Sequence, residues 1–202
     1  MRKDSTGRPL AGGRVVFLGS FVDPAALPTP NLPEIAFAGR SNVGKSSAIN
    51  RILNVGGAAR VSSTPGRTQT INLFTVNGKM CFADLPGYGF AKVPDAVRGQ
   101  WKFLVEGYLS SRETLRLVVV LIDARLEVQP SDAELIWGLR QARIPFLVLA
   151  TKADKLPRQK RKAAIDGFAR DLRLEPDQLL AFSSTEDIGV AEAISAIERA
   201  AK

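Results

Sequence analysis

Histidine is absent from the 202 residues, which excludes imidazole acid–base chemistry and imidazole metal ligation. Cysteine occurs once, at Cys81, so no internal disulfide can form, and a reducing compartment suits the chain. Cys81 lies in Lys79-Met80-Cys81-Phe82-Ala83, which reads as a core strand. A thiol there is expected to be buried and inert rather than nucleophilic. No apolar run is long enough to span a membrane, and Met1-Arg2-Lys3-Asp4-Ser5 lacks the apolar core of a signal peptide. The expected setting is the cytoplasm, with no membrane partner. Internal repeats and low-complexity tracts are also missing. Acidic residues are the scarcer charge: 20 Asp and Glu stand against 28 Lys and Arg, a formal charge of +8. That balance favours polyanionic partners, nucleic acid or ribonucleoprotein.

What the chain does have is a composition for a full core, 45% hydrophobic and 24% charged, in a length that fits one domain. Residues 1–33 read as an N-terminal extension. Within it Val15-Val16-Phe17-Leu18 is a candidate edge strand. Pro24, Pro28, Pro30 and Pro33 forbid helix and predict an extended lead-in. Residues 34–202 form the expected main domain. Apolar runs predict strands over 34–38, 70–76, 79–84, 116–122, 145–150 and 179–182. Amphipathic stretches predict helices over 45–53, 95–110, 131–142, 158–172 and 189–200. The runs Leu117–Ile122 and Pro145–Ala150 are apolar on both faces, as in strands of a parallel sheet covered by helices. The alternation predicts a doubly wound α/β fold with a mostly parallel sheet flanked by helices. Ligands of such folds bind beyond the carboxyl ends of the strands.

The octapeptide Gly39-Arg40-Ser41-Asn42-Val43-Gly44-Lys45-Ser46 occupies that position. It follows the first run of the main domain and opens a helix, the context of a phosphate-binding loop. Its backbone N–H groups would converge on anionic oxygens at a helix N-terminus. Lys45 would reach the outer phosphates, and the Ser46 hydroxyl would hold magnesium. Asp84-Leu85-Pro86-Gly87 follows the strand ending at Ala83. Asp84 would hold magnesium through water, and the Gly87 N–H would sense the terminal phosphate. Between them, Thr64-Pro65-Gly66-Arg67-Thr68-Gln69-Thr70 offers hydroxyls to complete the metal shell, with Thr68 first, Thr70 second and Thr64 third. Thr151-Lys152-Ala153-Asp154 ends the strand over 145–150. The Asp154 carboxylate can accept from both N1–H and the exocyclic amine of guanine, which adenine cannot match. A polar site of this kind discriminates by about four orders of magnitude. Lys152 would cover the base face with its aliphatic stem. Phe182-Ser183-Ser184-Thr185 would offer backbone N–H groups to the guanine carbonyl, although capping of the last helix explains the serines nearly as well.

Taken together these residues resemble the translation-factor-like class of guanine-nucleotide-binding proteins, within the TrmE-Era-EngA-EngB-Septin-like superfamily. More narrowly they resemble the EngB family (YihA, YsxC) of bacterial ribosome-biogenesis GTPases. The stretches Thr64-Pro65-Gly66-Arg67-Thr68-Gln69-Thr70-Ile71-Asn72 and Asp84-Leu85-Pro86-Gly87-Tyr88-Gly89-Phe90-Ala91 carry the narrower resemblance. It implies a single-domain, magnesium-dependent GTPase acting in large-subunit assembly on the ribosome and its rRNA, needed for normal cell division and septation. It also implies that Ser46 and Thr68 are the magnesium ligands. The chain is expected to be a monomer. One departure is Glu186-Asp187, acidic where the family is often basic.

Hydrolysis needs a positioned water and charge stabilisation. Where many relatives carry a glutamine after the D-x-x-G element, this chain has Tyr88, whose single O–H at the end of a rigid ring is a poor substitute. Slow intrinsic turnover is the expectation, raised by a partner or a monovalent cation. Asn42 is the candidate potassium ligand, and Arg67 a lower-ranked finger in cis. No side chain is assigned as general base. The basic run from Lys155 to Lys162 suits RNA phosphates or an ordinary solvated helix face equally. Two rival readings are a small-molecule kinase and an RNA-binding module with a vestigial nucleotide site.

Overall fold

The computed structural model describes residues 10, 13–28, 31–56, 70–89 and 95–202. Its strands are β1 (Val15–Phe21), β2 (Glu34–Gly39), β3 (Ile71–Val76), β4 (Met80–Asp84), β5 (Leu115–Asp123), β6 (Phe146–Thr151) and β7 (Leu179–Ala181). Its helices are α1 (Lys45–Leu53), α2 (Asp95–Ser111), α3 (Pro130–Gln141), α4 (Arg158–Asp171) and α5 (Val190–Ala200). The seven strands form one sheet in the order β1-β3-β4-β2-β5-β6-β7. Strands β4, β2, β5, β6 and β7 run parallel, and β1 and β3 add an antiparallel margin. The α/β fold read from the sequence is the fold observed.

The sheet separates two cores. On one face α1 contributes Ala48, Ile49, Ile52 and Leu53, and α5 contributes Val190, Ala193, Ile194 and Ile197, in helical spacing. On the other face α2 supplies Leu104, Val105 and Tyr108, α3 supplies Ile136 and Leu139, and α4 supplies Phe168. Residues of β2, β5 and β6 alternate between the two clusters, which is why those strands read as unbroken apolar runs. Cys81 is fully buried, and burial pushes its thiol up to about 12, so it is inert as expected. Among the described residues no helix is long and apolar enough to cross a membrane.

The lead-in differs from expectation at one point. Pro24–Ala26 forms a short 3-10 helix rather than extended chain. Pro24 sits at its first turn, where a missing N–H costs nothing, and the Asp23 side chain accepts from Ala25 N–H at 2.9 Å.

A buried ion pair ties the start of the parallel sheet to the end of α2. Glu34 is fully buried and accepts from Arg112 Nη2 at 2.6 Å and Tyr108 Oη at 2.8 Å, with the Thr114 hydroxyl as a further donor. Arg112 also donates to Pro28 O at 2.7 Å, which fastens the lead-in to the same point. At the opposite end, Gly189 caps α5 with φ 69°, and a Cβ there would lie 2.0 Å from Ala181 O. Only glycine lets the chain turn from β7 into α5 so close to the sheet.

Candidate nucleotide site

The carboxyl ends of β2, β4, β5 and β6 bring Gly39, Asp84, Asp123 and Thr151 to one rim of the sheet. The octapeptide bends through left-handed backbone at Asn42 (φ 63°) and Gly44 (φ 102°) before α1 begins. Gly44 is the helix N-cap and has no side chain to occupy the first-turn N–H groups, and that turn holds no acidic residue. Such a turn presents its N–H groups and positive dipole end to an anion. Lys45 Nζ pairs with Asp84 Oδ1, and Asp84 is 5% exposed. The two charges of the predicted phosphate and metal site therefore meet directly. Val43 and Leu85 are buried in the core and can meet a ligand only through their backbone.

The segment after β4 lies against the loop. Leu85 N–H donates to Phe37 O at 3.0 Å, Tyr88 N–H to Gly39 O at 3.3 Å, and Ser41 N–H to Tyr88 O at 2.9 Å. Gly87 abuts Ser41 so closely that a Cβ would fall 2.9 Å from its Oγ and 3.3 Å from its backbone N. The segment of the predicted phosphate sensor is thus bonded to the predicted phosphate cradle.

The Tyr88 side chain is engaged by α3. The residue is 4% exposed, and its hydroxyl donates to Asp132 Oδ1 at 2.9 Å in the first turn of α3. Burial and the neighbouring Asp132 charge hold the phenol well above its ordinary pKa, so it stays protonated. The expectation of a poor glutamine substitute gains a physical cause: the hydroxyl is committed to α3.

At the end of β6, the Thr151 hydroxyl donates to Val43 O at 2.7 Å, and Lys152 Nζ to Asn42 O at 2.7 Å and Asp123 Oδ2 at 2.9 Å. Lys152, at φ 57°, thereby locks the base-reading turn to the phosphate loop. Arg125 adds bonds from Nε at 2.9 Å and Nη2 at 2.8 Å to Asp123. Burial pushes the Asp123 carboxyl up, but the bonds from Arg125 and Lys152 outweigh it and hold the pKa at about 2.

The 3-10 turn Ala153–Lys155 carries Asp154. Ser183 Oγ donates to Asp154 Oδ1 at 2.8 Å, and Lys155 Nζ lies 3.2 Å from Oδ2. Burial opposes the Asp154 charge, yet the bonds from Ser183 and Lys155 lower its pKa overall, so it is an ionised acceptor. Ser183 is fully buried, and its hydroxyl accepts from the N–H groups of Thr185 at 3.2 Å and Glu186 at 3.0 Å.

This changes the reading of 182–184. Phe182 is a core residue whose N–H donates to Ala150 O and whose carbonyl accepts from Ala153 N–H. The Ser183 N–H is used on Ile188 O at 3.0 Å, so its contribution is the hydroxyl that orients Asp154. Of these three residues, Ser184 alone keeps its N–H without a protein acceptor among the described residues. The alternative helix-cap role fails, since Gly189 is the cap. Thr70 Oγ1 lies 3.3 Å from Asn72 Oδ1, turned toward its own strand. Thr64, Gly66, Arg67, Thr68 and Gln69 lie outside the described residues.

Three of the five cations of the basic run 155–162 have partners within the chain. Arg161 donates from Nε to Ala153 O at 2.9 Å, Lys155 meets Asp154, and Lys162 donates to Asp166 at 2.6 Å. Sequence reasoning missed Asp123 and Asp132, and read Arg161 only as part of the basic run. Asp123 had a signal, a carboxylate ending a fully apolar strand beside the base reader.

A family model described as 50S ribosome-binding GTPase matches residues 34–152. A probable GTP-binding protein EngB of Geobacter metallireducens is 47% identical over 182 residues, 90% of this chain and 89% of the relative. Its counterpart in Syntrophomonas wolfei is 48% identical over 179 residues, 89% of this chain and 92% of the relative. Among solved structures, a probable GTP-binding protein engB superposes with a TM-score of 0.69 at 24% identity, covering 83% of this chain and 97% of that one. Era of Aquifex aeolicus bound to GDP and AlF4- superposes with a TM-score of 0.66 at 20% identity, covering 84% of this chain and 56% of that one. These structural likenesses concern the fold.

Proposed function

The chain belongs to the EngB family of GTP-binding proteins, and from that premise we propose that it is a slow GTPase switch acting in assembly of the large ribosomal subunit. Its partners are GTP and GDP, the subunit and its rRNA, and through this role it serves normal cell division and septation. The name of the matching family model and the charge of +8 support a ribosomal partner. The observation that carries guanine specificity is the Asp154 carboxylate, ionised and fixed by Ser183.

In this reading Gly39–Ser46, Gly66–Thr70, Asp84–Gly87, Thr151–Asp154 and Phe182–Ser184 surround the nucleotide. Magnesium fits the donors present. Ser46 and Asp84 offer hard oxygens beside the cradle. Among the described residues no cluster of three acidic or thiol groups forms a cage. That suits an ion that takes its other ligands from phosphate, water and the Thr68 hydroxyl. Bound there, magnesium would neutralise charge developing on the phosphates. Lys45 leaves Asp84 for the phosphates, and Gly87 reports the terminal phosphate to the segment running into Tyr88. With the Tyr88 hydroxyl held by Asp132, no side chain at that position orients water, so unassisted turnover is slow. Asn42 is exposed in the phosphate loop and offers its amide oxygen to potassium.

Nucleotide affinity measured by isothermal titration with magnesium tests the reading. Micromolar guanine-specific binding is expected. Asp154→Asn should move the preference to xanthosine nucleotides, because the amide matches the xanthine carbonyl where guanine presents an amine. Retained guanine preference in that variant overturns the assignment. Hydrolysis should be well below one turnover per second in sodium and faster in potassium; equal rates remove Asn42 from the mechanism.

A further inference from the structure

Helices α3 and α4 end in the same way. In each, the residue after the C-cap has left-handed backbone: Arg143 at φ 54° and Arg173 at φ 51°. The N–H groups of Arg143 and Arg173 return to Arg140 O and Arg170 O, and those of Ile144 and Leu174 to Leu139 O and Ala169 O. This is the helix-ending motif whose left-handed position is normally glycine and whose next residue is apolar. Both strained positions carry arginine, and both residues are exposed. Electrostatic compensation of the helix ends does not require this, since Arg140 and Arg170 already place a cation in each last turn. A less favourable backbone residue kept twice in the same motif points to the side chain's use outside the fold.

The two helix ends meet. Arg140 Nη2 donates to Arg173 O at 2.6 Å, while its guanidinium packs 5.7 Å from the centre of the Phe146 ring. Arg140 thus bridges the two helix ends and sets their spacing. The nearest acid in sequence to Arg173 on α4, Asp171, is engaged by Arg170 Nε at 3.0 Å. Arg116, exposed at the start of β5, lies on the same rim, because Val118 pairs with Phe146 two residues further along. This rim holds the amino ends of β5, β6 and β7. The nucleotide site lies at their carboxyl ends, about 20 Å away along a six-residue strand.

We propose that Arg143 and Arg173, spaced by Arg140, form a docking surface for the phosphate backbone of RNA on the rim opposite the nucleotide. The proposal rests on the ribosomal reading above and names the surface it uses. Guanidinium forks match phosphate oxygens, and a chain of charge +8 is drawn to a polyanion. Because the surface is remote from the cradle, this contact anchors the protein whichever nucleotide is bound.

The test is a double variant, Arg143→Asn with Arg173→Asn. Asparagine tolerates left-handed backbone, so Tm should hold or rise. Binding to a fluorescein-labelled RNA hairpin of about 24 nucleotides is then followed against salt. Loss of two phosphate contacts should lower the slope of log affinity against log salt by about 1.5 units, with GTP or GDP present alike. Arg143→Lys with Arg173→Lys should restore most of the slope. A control variant at the start of α4, Arg158→Gln with Lys160→Gln, also removes two charges and should change the slope less. An unchanged slope in the asparagine variant, or an equal loss in the control variant, overturns the proposal. Intact hairpin binding with lost cosedimentation on ribosomal particles also overturns it, in favour of a protein partner. A wild-type chain that binds guanine nucleotides but neither the hairpin nor ribosomal particles sinks the ribosomal reading together with the proposal.

Discussion

The two rims of the parallel sheet use charge in opposite ways. At the amino rim Glu34 and Arg112 are enclosed, and every partner of the carboxylate is a fixed protein group: Arg112, Tyr108 and Thr114. At the carboxyl rim Lys45 pairs with Asp84 beside a helix N-terminus that has no side-chain cap of its own. The first arrangement is closed and serves the fold. The second leaves donors pointed at a space that an anion completes, so its pairing is one that a ligand exchanges. Buried ion pairs are therefore not one class; what distinguishes them is whether the surrounding donors are already satisfied.

The largest effect that would break this comparison comes from the closed pair. Arg112→Ala leaves Glu34 buried without its cation and should cost about 3–5 kcal/mol, read by denaturant unfolding without nucleotide. The affinity of the folded fraction for GTP should not change. Asp84→Asn should do the reverse, losing the magnesium-dependent tightening of GTP binding with a smaller loss of stability. If Arg112→Ala alters nucleotide affinity, the rims are coupled and the division fails.

A smaller effect sharpens the same contrast within the carboxyl rim. Tyr88→Phe removes one donor to buried Asp132, which keeps its backbone bond from Gln129 and the nearby Arg40 charge, a cost of about 1 kcal/mol. Because the hydroxyl is bonded to α3, kcat should stay within about twofold, less than about 0.4 kcal/mol in the barrier. A large drop in kcat in a variant that remains folded would mean that Tyr88 turns toward the nucleotide during turnover.

The elements were legible in the sequence because their signals are local. Continuous apolar runs marked β5 and β6, and helical spacing of Ile49, Ile52 and Leu53 marked α1. The phosphate loop was legible for the same reason, being contiguous. What escaped were pairings across the chain: Tyr88 with Asp132 at a separation of 44 residues, and Arg112 with Glu34 at 78. Nothing local distinguishes Asp132 from an ordinary acidic residue in a first helical turn, where it would favour the dipole in any case. Likewise Ser183 was readable as a cap or as a base contact, but its use as the orienting group for Asp154 needed the fold of β6 against β7.

The smallest effects come from protons, and they divide two carboxylates of the same rim. Asp123 is held at about 2 against an ordinary 3.8, because the bonds from Arg125 and Lys152 outweigh its burial. A depressed pKa gives stability that is present above the ordinary value and fades as pH falls from about 4 toward 2. Asp132 is shifted the other way: burial raises its pKa, and the Tyr88 hydrogen bond, the Arg40 charge and a backbone bond from Gln129 only partly offset this. A raised pKa gives stability that is present below the ordinary value and is lost as pH rises through the folded one, so at neutral pH its buried charge is a cost. Asp132→Asn keeps an acceptor for Tyr88 and removes that charge. It should be more stable than the parent at neutral pH, with the gain shrinking toward a pH of about 4. Asp123→Asn should be less stable at neutral pH, with its deficit shrinking only below about 4. Chemical denaturation of both variants at neutral pH and near the ordinary carboxyl pKa reads the two signs directly. If both shift stability in the same direction at neutral pH, then the Arg40 charge outweighs the burial of Asp132, as Arg125 and Lys152 outweigh that of Asp123.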